Sequence, residues 1–138
     1  MRELESICDQ IVGDIPGAVA CAIVGVSPPT LLGLCNRATQ LRTLHQFVTD
    51  AFIEMFRNDR ILTIAKGVRA QRGVEEDGKY YFREMQIVSD HNLHFAILSQ
   101  DSSVGLMLIA RKTAPRAEAW ELIYKSMERI VPLARAAR

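Results

Sequence analysis

The most chemically suggestive spacing in the sequence is the segment Gly73-Val-Glu-Glu-Asp-Gly78-Lys79. It places two glycines and a lysine at the intervals of a phosphate-binding loop, in which backbone amides surround the phosphates. Tyr80 follows where such loops carry the hydroxyl that binds magnesium, and the acidic side chains of the segment would repel a phosphate. We therefore interpret the segment as a solvated loop that ends in an Asp-Gly turn, and we expect no nucleotide cofactor.

Asp90, His91 and His94 are potential metal ligands that lie close together in the sequence. Residues three apart on a strand point to opposite faces, and His91 falls in a turn, so the two rings do not converge on one ion. His45 stands beside an apolar position of a helical pattern and is interpreted as a half-exposed helical residue. We expect no metal.

Cys8, Cys21 and Cys35 are the cysteines of the chain, and no Cys-x-x-Cys pair occurs among them. An odd number at these spacings indicates neither a disulfide framework nor a zinc site. Each falls within an apolar helical or strand-like pattern, where cysteine usually serves as a small buried hydrophobe. We predict free thiols that pack in the core.

Patterns typical of enzymes are also missing, since the sequence has no G-x-S-x-G, H-E-x-x-H or G-x-G-x-x-G. The acid pair Glu75-Glu76 lies in a polar segment with no apolar surroundings to raise a carboxyl pKa. Four basic side chains either form a solvated surface or hold an acidic partner; they are Arg57, Arg60, Arg69 and Arg72. We expect no catalytic residue.

The composition favours a single globular domain over residues 1–138, since 49% of the residues are hydrophobic and 24% are charged. Seventeen Lys and Arg balance sixteen Asp and Glu without a basic stripe, which argues against nucleic acid and anionic membranes as partners. No apolar run is long enough to span a bilayer, and the acidic start is atypical of a secretory leader. We expect a cytoplasmic protein.

The first third of the chain predicts a helix followed by a hairpin. One helical stripe is formed by Leu4, Ile7, Cys8, Ile11 and Val12, and Pro16-Gly17 ends it. The small apolar run Ala18 to Gly25 predicts a buried strand. Ser27-Pro28-Pro29 cannot continue a ladder, so Leu31 to Cys35 is expected to return as a second strand.

A long helix is predicted from Thr39, or from a cap at Asn36, to Arg57. Its main apolar stripe consists of Leu41, Leu44, Val48, Ala51, Phe52 and Met55. Phe47, Ile53 and Phe56 lie off that stripe, so the helix is expected to bury a second surface against a partner or a second copy. The stretch Asn58 to Val74 fits a helix and a strand equally well.

The second half predicts three consecutive strands and a final helix: Lys79 to Ser89, Leu93 to Ser99, Val104 to Lys112, and a helix opened by Pro115. The first of these strands is expected to be an edge that joins a second copy, because Tyr80, Tyr81 and Phe82 are bulky and favour strands. The order αββα-βββα predicts an α+β domain with an antiparallel sheet of about five strands flanked by helices.

This pattern resembles the roadblock/dynein light chain family. The resemblance is carried by Ile15-Pro16-Gly17-Ala18-Val19, the small-residue strand to Gly25, the long helix, and Leu93 to Ser99 followed by Asp101-Ser-Ser-Val-Gly105-Leu. Ser27-Pro28-Pro29 replaces the Asp-Gly turn that is usual in the family, and residues 58–78 are longer than the usual connection. The resemblance implies a dimer that acts on a Ras-like GTPase by contact, without a cofactor.

Two other functional classes remain open on the sequence alone. A profilin-like or PAS-like sensor would need a pocket larger than about 300 Å³ for a small molecule. An enzyme would need an active site assembled from scattered residues.

Overall fold

The computed structural model describes residues 2–37, 45–75 and 80–136. Over these ranges the chain forms helices α1 (Arg2–Asp14), α2 (His45–Arg57), α3 (Asp59–Gln71) and α4 (Arg116–Ala136). Its strands are β1 (Ala18–Gly25), β2 (Thr30–Asn36), β3 (Glu84–Val88), β4 (Asn92–Leu98) and β5 (Val104–Arg111). They form one antiparallel five-stranded sheet in the order β2-β1-β5-β4-β3, which confirms the predicted α+β fold.

The first face of the sheet is covered by α1 and α4. The predicted stripe of α1 is confirmed, since Leu4, Ile7 and Ile11 are buried with Cys8 and Val12. They meet the strand side chains Cys21, Ile23, Leu93, Phe95, Leu106 and Leu108. Gly33 of β2 permits the close approach of α1, because a Cβ there would lie 3.1 Å from the carbonyl carbon of Leu4.

The second face of the sheet is covered by α2. Its buried stripe consists of Thr49, Phe52, Ile53 and Phe56, which repeat at the helical spacing of three and four residues. The aromatic and aliphatic members pack against Val24, Val26, Ala96, Leu98 and Met107. The sheet therefore lies between two helical layers, and the face of α2 that packs on it includes Ile53 and Phe56, which the sequence pattern placed off the main stripe.

The undecided stretch 58–74 contains α3. Asn58 begins the helix, since its side-chain oxygen accepts a hydrogen bond from the amide of Ile61 at 3.0 Å. This is the N-cap arrangement that satisfies a free donor of the first turn. Asn36 is the last residue of β2 and does not cap α2, whereas Thr39, Leu41 and Leu44 lie outside the described residues.

Candidate functional site

The edge strand β3 is the most exposed strand of the sheet, since all its residues except Met85 are exposed. Two large apolar side chains on it face solvent, with exposed fractions of 45% for Ile87 and 52% for Val88. The opposite edge, β2, carries no exposed large hydrophobic side chain. An exposed apolar edge is a template for pairing with another strand. We therefore take the β3 edge as the candidate site.

The hydrogen bonds of β3 show which backbone groups the edge offers. Arg83 accepts a hydrogen bond from the Leu98 amide at 2.9 Å, and the Ser89 amide donates to the Asn92 carbonyl at 2.9 Å. Backbone groups in an antiparallel pair point alternately toward and away from the neighbouring strand. The residues that point away from β4 are therefore Glu84, Gln86 and Val88.

The side chains of β3 follow the same alternation. Gln86 lies toward the first face, where its side-chain oxygen accepts a hydrogen bond from Trp120 Nε1 at 3.3 Å. Met85 packs against the second-face core. Ile87 therefore extends the second face, and Val88 the first, at the margin of the sheet. A strand that pairs at this edge would gain apolar contacts on both faces.

The predicted strand Lys79 to Ser89 is too long at its start, since β3 begins at Glu84 and Lys79 lies outside the described residues. Tyr80 and Phe82 are half-buried against the second-face core. Tyr81 lies edge-on to Phe82 and beneath the guanidinium of Arg69, 5.5 Å from the ring centre. These aromatics cross the second face instead of alternating on the edge, which corrects their placement.

The segment 80–83 is held by the turn between β4 and β5. The Tyr80 amide donates to Ser102 Oγ at 3.1 Å, and Arg83 donates a side-chain hydrogen bond to the Ser99 carbonyl. Ser102 adopts a positive φ of 60°, which is uncommon for a residue with a side chain. The turn therefore positions the segment that leads into β3, through the hydrogen bonds of Ser99 and Ser102.

Asp101 organises this turn. Its Oδ1 accepts hydrogen bonds from Ser99 Oγ at 2.7 Å, Ser103 Oγ at 2.6 Å and the Ser103 amide at 3.0 Å. Its Oδ2 accepts one from Arg135 of α4 at 3.0 Å. The hydrogen bonds from Ser103, with those from Ser99 and Arg135, hold the pKa of Asp101 well below its usual range, because they favour the charged carboxylate.

The helix residues predicted to form an interface are placed differently. Ile53 and Phe56 are 4% and 1% exposed, because both belong to the α2 stripe that packs on the second face. Their assignment to a partner surface is therefore wrong, because both side chains pack against the sheet of their own chain. The side chain of Phe47 lies outside the described part of the chain. The sequence pattern does not single out Ile87 and Val88, because apolar residues at such positions are equally typical of a buried strand.

The structure shows the surroundings of His94 and of the three cysteines. His94 is half-buried on β4 and forms a hydrogen bond with Ser89 Oγ at 3.1 Å, and desolvation lowers its pKa. Within residues 2–37, 45–75 and 80–136, no group of three or more His, Cys, Asp or Glu is arranged to hold a metal ion. Cys8 and Cys21 are buried in the first-face core, as predicted, while Cys35 is half-buried at its margin.

A hollow of about 640 Å³ lies between the β4–β5 turn and α4. Its apolar wall includes Met127, Val131 and Pro132, and its rim carries Asp101 and Arg135. No helix in the described ranges is both long and apolar enough to cross a membrane.

No protein-family profile and no curated protein matches the sequence. Solved structures do match it. The roadblock/LC7 domain from Streptomyces avermitilis has a TM-score of 0.72 at 13% identity, with 96% of this chain and 98% of that chain covered. Myxococcus xanthus MglB has a TM-score of 0.70 at 13% identity, with 97% and 96% covered. A structure described as MglB with tetrameric arrangement has a TM-score of 0.70 at 14% identity, with 99% and 91% covered. The chain therefore has the fold of the roadblock/LC7 domains, as its resemblance to that family predicted.

Proposed function

We propose that this protein is a dimeric interaction platform that regulates a small Ras-like GTPase by contact, in the cytoplasm and without a catalytic site or cofactor of its own. The observation that carries the proposal is the exposed apolar edge of β3, in a fold shared with roadblock/LC7 domains and MglB. The tetrameric arrangement described for one MglB structure supports self-association of this fold.

The proposed dimer joins two β3 strands across a two-fold axis. Glu84, Gln86 and Val88 would supply the backbone donors and acceptors, and Ile87 and Val88 would bury their apolar side chains between the copies. A two-fold interface uses the same patch on both copies, so one apolar edge per chain suffices. Tyr80, Tyr81 and Phe82 would contribute to this edge indirectly. They belong to the segment that precedes β3, and the turn that binds this segment also positions the start of the strand.

Sedimentation at micromolar concentration tests the dimer, and a species of about twice 15.5 kDa is expected. The GTPase step is tested by adding this protein to purified Ras-like small GTPases of the same organism and following phosphate release at saturating GTP. A rate that changes with the concentration of this protein supports regulation by contact. A clean monomer, or a hydrolysis rate independent of this protein, contradicts the corresponding part of the proposal.

A small-molecule sensor is the second candidate, favoured by the hollow of about 640 Å³ beside α4. This volume lies within the range of known ligand pockets. A metabolite that binds only the folded chain would raise its midpoint of thermal unfolding. A metabolite whose effect disappears in Met127→Trp, which would fill the hollow, supports the sensor over the platform.

A further inference from the structure

The β3 strand offers a second copy only a few ways to pair, because its backbone groups alternate in direction. Glu84, Gln86 and Val88 point these groups away from β4, as the hydrogen bonds at Arg83 and Ser89 show. A two-fold axis perpendicular to the sheet makes two such strands antiparallel and keeps their first faces on the same side. The residues that point outward then pair with one another, and each pair exchanges two hydrogen bonds. The possible registers therefore differ by shifts of two residues.

The register centred on Gln86 pairs every residue of β3 with a residue of β3. It places Met85 opposite Ile87 of the second copy on the second face, and Val88 opposite Glu84 of the second copy on the first face. Met85 is half-buried on the core, whereas Ile87 is 45% exposed, so this register would cover an exposed apolar side chain with another apolar one. Side chains directly opposite one another supply the contacts that stabilise an antiparallel pair.

The neighbouring registers are less favourable. One shift toward the start of the strand would place Ile87 opposite the charged Arg83 of the second copy. One shift toward its end would place Glu84 opposite Asp90 of the second copy, and like charges directly opposite one another destabilise a strand pair. Larger shifts leave a single residue of β3 opposite β3. The register centred on Gln86 alone pairs the whole strand and brings no two charged side chains together.

The side chain of Gln86 suits a position on the two-fold axis. Its oxygen accepts a hydrogen bond from Trp120 Nε1 at 3.3 Å, and Trp120 lies edge-on to Phe95 with 5.1 Å between ring centres. An indole N–H can only donate, so this bond leaves the amide nitrogen of Gln86 as a donor that has no partner within the described residues. Two such side chains that face each other can each donate to the other's oxygen, which has a second lone pair.

We propose that two β3 strands pair in the register centred on Gln86, and that the two Gln86 side chains, oriented by Trp120, select this register. The proposal rests on the proposed β3 dimer and adds which residues meet across it. A polar pair at one defined position fixes register because its hydrogen bonds are made in one alignment and lost in the others.

Disulfide cross-linking of the full chain distinguishes the registers. In the proposed one, Met85 and Ile87 of the second copy form a pair that exchanges no hydrogen bonds, with Cα atoms about 4.5 Å apart, which suits a disulfide. Copies that carry Met85→Cys and copies that carry Ile87→Cys, expressed together with different tags, should therefore cross-link under mild oxidation. Either variant alone should cross-link at least about tenfold less, because its two thiols then lie on a diagonal of about 7–8 Å.

Two controls accompany the cross-linking. The parent chain measures the background, because its own cysteines are retained in every sample. Gln86→Glu should weaken the dimer about fivefold or more in sedimentation, since it sets two carboxylates opposite each other on the axis. Gln10→Glu is the matched control, because it adds the same charge on α1, where Arg129 donates to the Gln10 oxygen. This variant should dimerise as the parent does.

The outcomes separate the register from the dimer. If Met85→Cys alone or Ile87→Cys alone cross-links as efficiently as the mixture, the register is wrong and the β3 dimer is retained. A chain that sediments as a monomer overturns the dimer and the register with it. A dimer that cross-links in none of the samples above the background of the parent is joined elsewhere than at β3. Equal dimerisation of Gln86→Glu and the parent would overturn the role of Gln86.

Discussion

Phe52 of α2 lies directly over Gly105 of β5, and its ring occupies the space that a Cβ at position 105 would need. Phe52 is fully buried and packs against Phe56 with 5.2 Å between ring centres. The missing side chain at position 105 therefore sets how closely α2 approaches the second face of the sheet.

Gly105→Ala should lower the free energy of unfolding by about 1–3 kcal/mol, the usual cost of overpacking a core. The added methyl would displace the Phe52 ring and would also lie 3.3 Å from Val24 Cγ2. Urea denaturation measures the change. Gly67→Ala is the control, because a Cβ there meets nothing within 4 Å and the exposed position lies inside α3. This control should be neutral or stabilising by up to about 1 kcal/mol. Equal stability of the two variants would contradict the packing argument.

Val88→Pro should weaken dimerisation and leave the folded chain intact. The Val88 amide points away from β4, so proline removes a donor that only a pairing strand would use. Sedimentation should show the dimer dissociating at protein concentrations about tenfold higher than for the parent. The unfolding free energy of the monomer should change by less than about 1 kcal/mol.

Ile87→Pro is the matched comparison for the edge, because the Ile87 amide points toward β4. This variant loses a bond within the chain, and its unfolding free energy should fall by about 1–3 kcal/mol. If Val88→Pro dimerises as tightly as the parent, β3 is not the joint between copies.

Asp101→Asn should destabilise the chain by about 1 kcal/mol at pH 7, since the charged acceptor of four hydrogen bonds is replaced by a neutral one. The folded-state pKa of Asp101 is lowered, so its contribution is complete above the unfolded-state value of about 3.9. The contribution is lost as the pH falls through the lower folded-state value. Chemical denaturation of parent and variant at a series of pH values should therefore give a constant difference from pH 7 to about pH 5, and a shrinking one in stronger acid. A difference that grows in acid would contradict this assignment.

Cys35 should react slowly with iodoacetamide at pH 8. Burial, together with the hydrogen bond and charge of Asp9, raises its pKa to about 11, so little thiolate is present. Mass spectrometry of peptides after timed alkylation should show a rate that rises steeply above pH 9. Asp9→Asn removes the nearby negative charge and should speed the reaction at pH 8. A Cys35 rate equal to that of a free thiol at pH 8 would contradict the raised pKa.

The order of helices and strands along the chain and the buried stripe of α1 were predictable because their signals are local. The α1 stripe and the alternation of Leu93, Phe95 and Ile97 against Ala96 and Leu98 both appear in the structure as the sequence pattern indicates. Small residues in Ala18 to Gly25 also marked a strand that is covered on both faces. The spacing of apolar residues is enough to predict a helix or strand when a single face of it packs against one neighbouring layer.

The second face was harder to predict, because one buried residue of its helix is polar and because its aromatic segment is positioned by contacts distant in the sequence. Thr49 is buried in the α2 stripe, so counting apolar residues alone rotated the predicted stripe and left Ile53 and Phe56 outside it. Tyr80 and Phe82 favour strands by type, but their segment is held across the sheet by the hydrogen bonds of the Tyr80 amide to Ser102 and of the Arg83 side chain to Ser99. Such long-range contacts have no signature in local spacing.

The strand order also leaves two unlike margins on the sheet. At β2, α1 packs closely, with Leu4 against Gly33, whereas β3 presents Ile87 and Val88 to solvent. A fibre grows along a sheet only if each added molecule leaves exposed another strand edge of the kind to which it has bound. Two molecules that pair through their β3 edges cover both of these edges and leave only the two β2 edges exposed. Because β2 does not offer the same apolar edge, growth along the sheet stops at two molecules.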